Sequence, residues 1–265
     1  MQGWSAILDH SGPFLLCYFR MLGLFMAAPL LSSLIIPARL KALLAMMLTA
    51  AVYPMLSVSL SPTLFPKGDL EIVTLLPMVV VESIIGFSIG LLATVPLTAL
   101  EMAGTMMGQQ MGLGLARVYN PEADYDIDVL GQLLFYIGSG LFFALGGLEV
   151  MLRSLLDTFS LVPIGGMRSG ETPLDLLVSL ISSSFELAMR VTAPVAGIIL
   201  LLVLVFAAIG KTMPQINIMS VGFAIKILAG VMILAASLYA VQAAVGESIV
   251  EALVQVRDWA AGLGG

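Results

Sequence analysis

Five charged side chains interrupt stretches that are otherwise apolar: Arg20, Glu82, Glu186, Arg190 and Lys226. In hydrocarbon each would cost about 2.5–3.5 kcal/mol on insertion scales, so such groups belong against other helices or in a watery lumen. Glu186 and Arg190 are four apart with the acid first, the favourable order for a pair along one helix. They either neutralise each other there or form a polar patch facing a partner. Glu82 has the type of a proton-relay carboxylate, but no second acid lies near it in sequence. Nucleophilic and metal chemistry find less support. One cysteine, Cys17, and one histidine, His10, exclude a disulfide framework and a Cys/His zinc site. No Ser/His/Asp or Cys/His set can be assembled around His10, which reads as a surface or interfacial residue. The acidic run Glu122, Asp124, Asp126 and Asp128 lacks the glycine and terminal glutamate of a calcium loop. No glycine-rich loop ending in Lys-Ser/Thr is present to hold a nucleotide. The expectation is a chain without cofactor, metal or bond chemistry of its own.

The elements that must carry these charges are long and oily. Of 265 residues 60% are hydrophobic and 11% charged, and the mean hydropathy is +1.07. An ordinary soluble domain is about a quarter charged, and one core of this size could not hide so much apolar surface. A soluble enzyme and a disordered chain are both excluded as leading readings. The net charge of −6 and the absence of a Lys/Arg run argue against nucleic acid as a partner. The first twelve residues lack the basic start of a cleavable signal, so the first apolar block reads as a retained helix.

Six apolar blocks follow, at about 13–36, 42–60, 70–100, 129–148, 174–209 and 218–246. Each reaches roughly the 20 residues that cross a bilayer as a helix, and the third and fifth exceed 30. Continuous rather than alternating apolar positions, rich in Leu, Ala and Met, exclude strands and a β-barrel. The fold class expected is an all-α membrane-type protein of helical hairpins, a single domain over 1–265. Pro77, Pro96 and Pro194 lie inside long blocks, so broken or kinked helices are expected there. The competing reading is of helices merely tilted and extended past the headgroups. Orientation does not emerge from basic residues. Arg39, Lys41, Arg117 and Lys211 on one side balance Lys67, Arg153, Arg168 and Arg257 on the other.

The stretch at about 104–121 is distinctive. Gly104, Gly108, Gly112 and Gly114 make a regular helix costly, at about 1 kcal/mol per glycine relative to alanine. Yet Met and Leu stand between them, and methionine adapts its shape to whatever it covers. One reading is a mobile, oily loop that stops a channel. The other is close helix packing through the small-xxx-small spacing Gly104-Gly108-Gly112. The residues alone favour packing and leave both open.

Several short motifs in order resemble the FliR family of flagellar and virulence type III export-gate proteins. They are Arg20 with Ala28-Pro29, then Pro37-Ala38-Arg39-Leu40-Lys41, then Gly108-Gln109-Gln110-Met111-Gly112. Further on come Asp157-Thr158-Phe159 with Pro163-Ile164-Gly165, and Pro214-Gln215-Ile216-Asn217 with Gly222-Phe223. The resemblance covers nearly the whole chain. It implies one structural subunit of the export gate, at the bacterial inner membrane in the flagellar basal body. It implies FliP-like and FliQ-like subunits and an FlhB-like switch protein as partners, with unfolded export substrates passing through. It also turns the balance at the glycine-rich stretch toward a plug formed by Gly108, Gln109, Gln110, Met111, Gly112, Leu113, Gly114, Leu115, Arg117 and Tyr119. Arg20, Glu82, Glu186, Arg190 and Lys226 are expected as buried charges or partner contacts, and Lys226 matches no family role. A virulence-system paralogue remains an alternative. So does a secondary transporter with an intramembrane charged site built from Glu82, Glu186, Arg190 or Lys226.

Overall fold

A computed structural model describes residues 2–29, 31–33, 36–56, 72–113, 128–162, 164, 173–213 and 218–262. Among them seven helices occur in chain order: α1 Gln2–Ala27, α2 Ala38–Leu56, α3 Ile72–Met111, α4 Val129–Ala144, α5 Gly147–Leu161, α6 Pro173–Thr212 and α7 Ile218–Gly262. The all-helical, membrane-type expectation is met. Four helices are long and apolar enough to cross a membrane, or five if α4 and α5 together make one bent span. The N-terminal block is not among them, because α1 carries polar residues through its first half and Arg20 in its second.

The helices that carry the prolines are continuous. Both α3, through Pro77 and Pro96, and α6, through Pro194, continue for 40 residues. One proline removes one backbone hydrogen bond, and the turns above and below it still hold. Among the described residues the sharp bend falls instead between α4 and α5, at 63°. Gly146 sits there with φ +74°, a left-handed conformation that glycine adopts without steric cost.

The chain divides into two compact units. The first holds residues 1–95, 146–180 and 251–265; the second holds 96–145 and 181–250. The long helices α3, α6 and α7 each contribute to both.

In the first unit α1, α3 and α5 enclose Leu16, Met21, Leu24, Ile85, Ile89, Leu92, Met151 and Leu155. Glycines set the spacing between α1 and α3. A Cβ on Gly86 would collide with the backbone carbonyl of Arg20, and one on Gly23 with that of Ser83. A Cβ on Gly90 would come within 2.8 Å of backbone atoms of Leu24 and Ala28. Only hydrogen atoms fit there, so the two backbones pack directly, the small-residue contact common between membrane helices. Tyr53 of α2 closes on α1, stacking edge-on against Phe14 at 5.3 Å and meeting Nδ1 of His10 at 3.1 Å. His10 therefore has a tyrosine partner that the sequence reading did not supply.

In the second unit Leu97, Leu100, Ala103, Met107, Met111, Leu134 and Phe142 form a buried face with Leu187, Val191, Val195 and Ile199. A Cβ on Gly104 would meet the backbone of Leu130 and Gly131, so α3 and α4 also touch through glycine. Met111 fills the space beside Gly230 of α7, and a Cβ on Gly222 would meet the ring of Phe206 of α6 at 3.4 Å.

Candidate functional site

Two clusters in the described residues gather the candidate residues: a buried charge centre in the first unit and the end of α3 with the start of α4 in the second. The buried centre is built from the α3 stripe Glu82, Gly86, Gly90 and Thr94, spaced by four and so on one helix face. Gly86 and Gly90 bring α1 into backbone contact, and Thr94 donates its hydroxyl to the Ala27 carbonyl at 2.7 Å. One turn below, this closeness lets Arg20 of α1 donate from Nε to Oε2 of Glu82. Arg20 is 0% exposed and Glu82 0%.

A third helix completes the site. Nη1 of Arg20 donates to Oγ1 of Thr158 at 3.1 Å, and Thr158 donates its own proton to the Leu155 carbonyl at 2.6 Å. Phe159 places its ring 4.4 Å from the guanidinium carbon, a cation–π contact. One guanidinium thus ties α1, α3 and α5 together. A charge pair this dry is held by its hydrogen bonds; with either partner removed, the other charge would be buried unpaired.

The remaining expected charges lie elsewhere. Arg190 bonds Glu186 within α6 at 3.0 Å and reaches Glu247 of α7 at 3.7 Å. The first contact is the intrahelical pair that the spacing predicts. Burial, expected for both residues, is not provided by the chain itself: the side chains are 57% and 71% exposed. Lys226 of α7 is half-buried. Arg20 and Glu82 are therefore brought together, as are Glu186 and Arg190, but the two pairs belong to different units.

The glycine-rich stretch is only partly a loop. α3 runs on through Gly104, Gly108, Gln109, Gln110 and Met111, and Gly112 ends it with φ +87°. Glycine at the left-handed position just past a helix is a common stop. Gly104 packs against α4, as the small-residue reading requires, whereas a Cβ on Gly108 would have ordinary clearance of 3.8 Å. Gln109 and Gln110 are exposed, Met111 is buried and Leu113 is exposed. Gly114, Leu115, Arg117 and Tyr119 lie outside the described residues. Asp128 begins α4: its Oδ1 accepts the Gly131 N–H at 3.0 Å and its Oδ2 accepts the hydroxyl of Thr105 from α3.

Sequence reasoning did not single out Thr158, Phe159, Gly86, Gly90 or the Thr105–Asp128 contact as functional. Two signals were available. Glu82-Gly86-Gly90 is a small-residue stripe led by a charge, and a lone cation and a lone anion stood in separate apolar blocks. Thr158 and Phe159 appeared only as part of a family motif.

The family model for bacterial export proteins, family 1, matches residues 12–252, a range that includes both clusters. The chain is similar to the flagellar biosynthetic protein FliR of Escherichia coli (strain K12), 29% identical over 219 residues that cover 82% of this chain and 80% of that protein. It is 28% identical to the protein of the same name from Aquifex aeolicus (strain VF5), over 84% of each chain. The FliR of Bacillus subtilis (strain 168) is 22% identical over 84% of this chain and 85% of its own.

Proposed function

The chain belongs to the bacterial export proteins, family 1, and on that footing we propose that it is a structural subunit of a flagellar type III protein export apparatus. It works in the bacterial inner membrane within the flagellar basal body. Its neighbours are FliP-like and FliQ-like subunits and an FlhB-like switch protein, and unfolded export substrates pass through the channel they form. It makes and breaks no bonds.

The observation that supports this reading is how little of the apolar surface the chain covers for itself. In the span of α6 only 11% of the most apolar window is buried, and in α2 likewise 11%. Leu200, Leu201, Val203, Leu204 and Val205 stand open on α6, and Leu43, Met46 and Met47 stand open on α2. Patches this large on a protein mark contact with lipid or with other chains. A secondary transporter would instead be expected to keep an intramembrane charged site open to a solute. Here the most buried charges, Arg20 and Glu82, face each other, with Thr158 on Nη1 of the arginine.

Within this reading the segment from Gly108 to Tyr119 stops the pore. Gly108 to Met111 are its helical footing, and α3 ends at Gly112. The test is deletion of residues 112–119 in cells that assemble the complex. The expected outcome is an assembled complex, recovered with its small apolar partners, and a membrane that leaks ions or small solutes. Loss of assembly without any leak would overturn the stopper. A chain that purifies as a stable monomer and binds a small solute would overturn the export reading itself.

A further inference from the structure

Among the described residues every arginine except one is bonded to a carboxylate: Arg20 to Glu82, Arg153 to Glu149, Arg190 to Glu186 and Arg257 to Asp258. The exception is Arg39, exposed in the first turn of α2, and Lys41 near it has no ion pair among them either. No Asp or Glu occurs between Asp9 and Asp69, so the sequence around α2 offers them none. The helix itself works against both. Its first turn contains no acid, and its N-terminal end is the positive pole of the backbone dipole, where basic side chains are disfavoured. Two cations at that place, with no carboxylate among the described residues to balance them, call for an anion from outside the chain.

The rest of α2 indicates which anion. Ala45 and Thr49 are buried, and the Thr49 hydroxyl donates to the Ala45 carbonyl at 2.7 Å. Tyr53 is taken up by His10. The open residues of α2 past Lys41 include no polar side chain and no glycine. Leu40, Leu43, Leu44, Met47, Ala51 and Met55 recur at steps of three and four and share one broad side. From residue 42 to 56 this apolar body is about 22 Å long, most of the roughly 30 Å depth of a bilayer's hydrocarbon. Helices meet one another in membranes through small residues and polar groups, as α1 meets α3 through Gly23, Gly86 and Gly90. Acyl chains need neither. Two cations at the head of a plain apolar side are the complement of an anionic phospholipid, phosphate at one end and hydrocarbon below it.

We propose that the head of α2 is a docking site for anionic phospholipid, with Arg39 and Lys41 on the headgroup phosphate and the open side of α2 along the acyl chains. The inference rests on the membrane setting of the reading above, and on no part of the pore.

The test uses the complex recovered with its partner subunits and placed in bilayer nanodiscs. A fluorophore is attached at Leu43→Cys, one turn past Arg39, in a Cys17→Ala background, and the signal of the complex without Leu43→Cys is subtracted. Quenching by spin-labelled phosphatidylglycerol is compared with quenching by spin-labelled phosphatidylcholine. A preference of about fivefold or more for phosphatidylglycerol is expected, fivefold being the factor that one basic side chain contributes near an anionic surface. Arg39→Gln with Lys41→Gln should abolish the preference, whereas the charge-keeping exchange Arg39→Lys with Lys41→Arg should retain it. Equal quenching by the two lipids in the parent would overturn the proposal, since lipid would then cover α2 without selection by the cations. Quenching by neither would overturn it in favour of a protein partner over α2. A preference that survives the double glutamine variant would overturn it as well, because other groups would then be selecting the lipid. In all three outcomes the recovered complex leaves the export reading standing. If no complex with partner subunits can be recovered, the export reading fails, and the same quenching measurement on the full chain in nanodiscs decides the lipid site by itself.

Discussion

Arg20 with Glu82 and Arg190 with Glu186 are the same chemistry in two settings. The first pair joins two helices, is sealed from solvent and has Thr158 and Phe159 around the guanidinium. The second lies along one helix, shares its arginine with Glu247 and stands open to whatever surrounds the chain. Residue type and hydropathy make them look alike, since each interrupts an apolar block. Distance between partners in sequence separates them. A pair four residues apart forms as soon as its helix does, whereas a pair 62 residues apart exists only if two helices pack in one register. The buried pair is thus a consequence of tertiary structure and a condition of it, while the exposed pair is neither.

The largest expected effect follows from breaking the buried pair. Glu82→Ala leaves Arg20 charged in a dry site, which should cost about 3–5 kcal/mol. Thermal unfolding of the detergent-solubilised complex should show a large drop in midpoint or no recoverable complex. Replacing both partners, Arg20→Met with Glu82→Leu, removes charge and desolvation penalty together and should restore much of that loss. Recovery would identify the pair as a register device; no recovery would mean that the arginine acts beyond packing.

The glycine contact beside the pair comes next. Gly86→Ala drives a methyl group into the Arg20 carbonyl and should destabilise by about 1–3 kcal/mol, as overpacking does. Gly140→Ala on α4 meets nothing within 4 Å and should stabilise by up to about 1 kcal/mol through helix propensity. Equal effects from the two would show that α1 and α3 do not touch as described.

The smallest effect should come from Arg190→Ala, below about 1 kcal/mol and weaker still at high salt. A measurement in the complex sharpens the comparison. If Arg190→Ala costs as much there as Glu82→Ala, a partner covers the triad and makes it a second buried centre.

Much of this molecule was legible before any coordinates. Sustained apolar runs with no alternation dictated helices, and their lengths and scarce charges pointed to a membrane setting. The four-residue spacing of Glu186 and Arg190 dictated their bond. Gly112 as a helix stop was hidden, because glycines at 104, 108, 112 and 114 all weigh equally against a helix in propensity. Packing against Gly131 and Gly230 keeps α3 helical as far as Met111. Likewise the positive φ of Gly146, between α4 and α5, was not marked out among the 26 glycines of the sequence.

Local physics is short-ranged, so the sequence alone determined the helices, their oiliness and the contacts within a turn. Which lone charge meets which, where a glycine serves as a contact and where as a hinge, and that Asp128 reaches Thr105 are facts about two helices at once. Only the tertiary structure could decide them, because each depends on the distance and register between segments that no local preference sets.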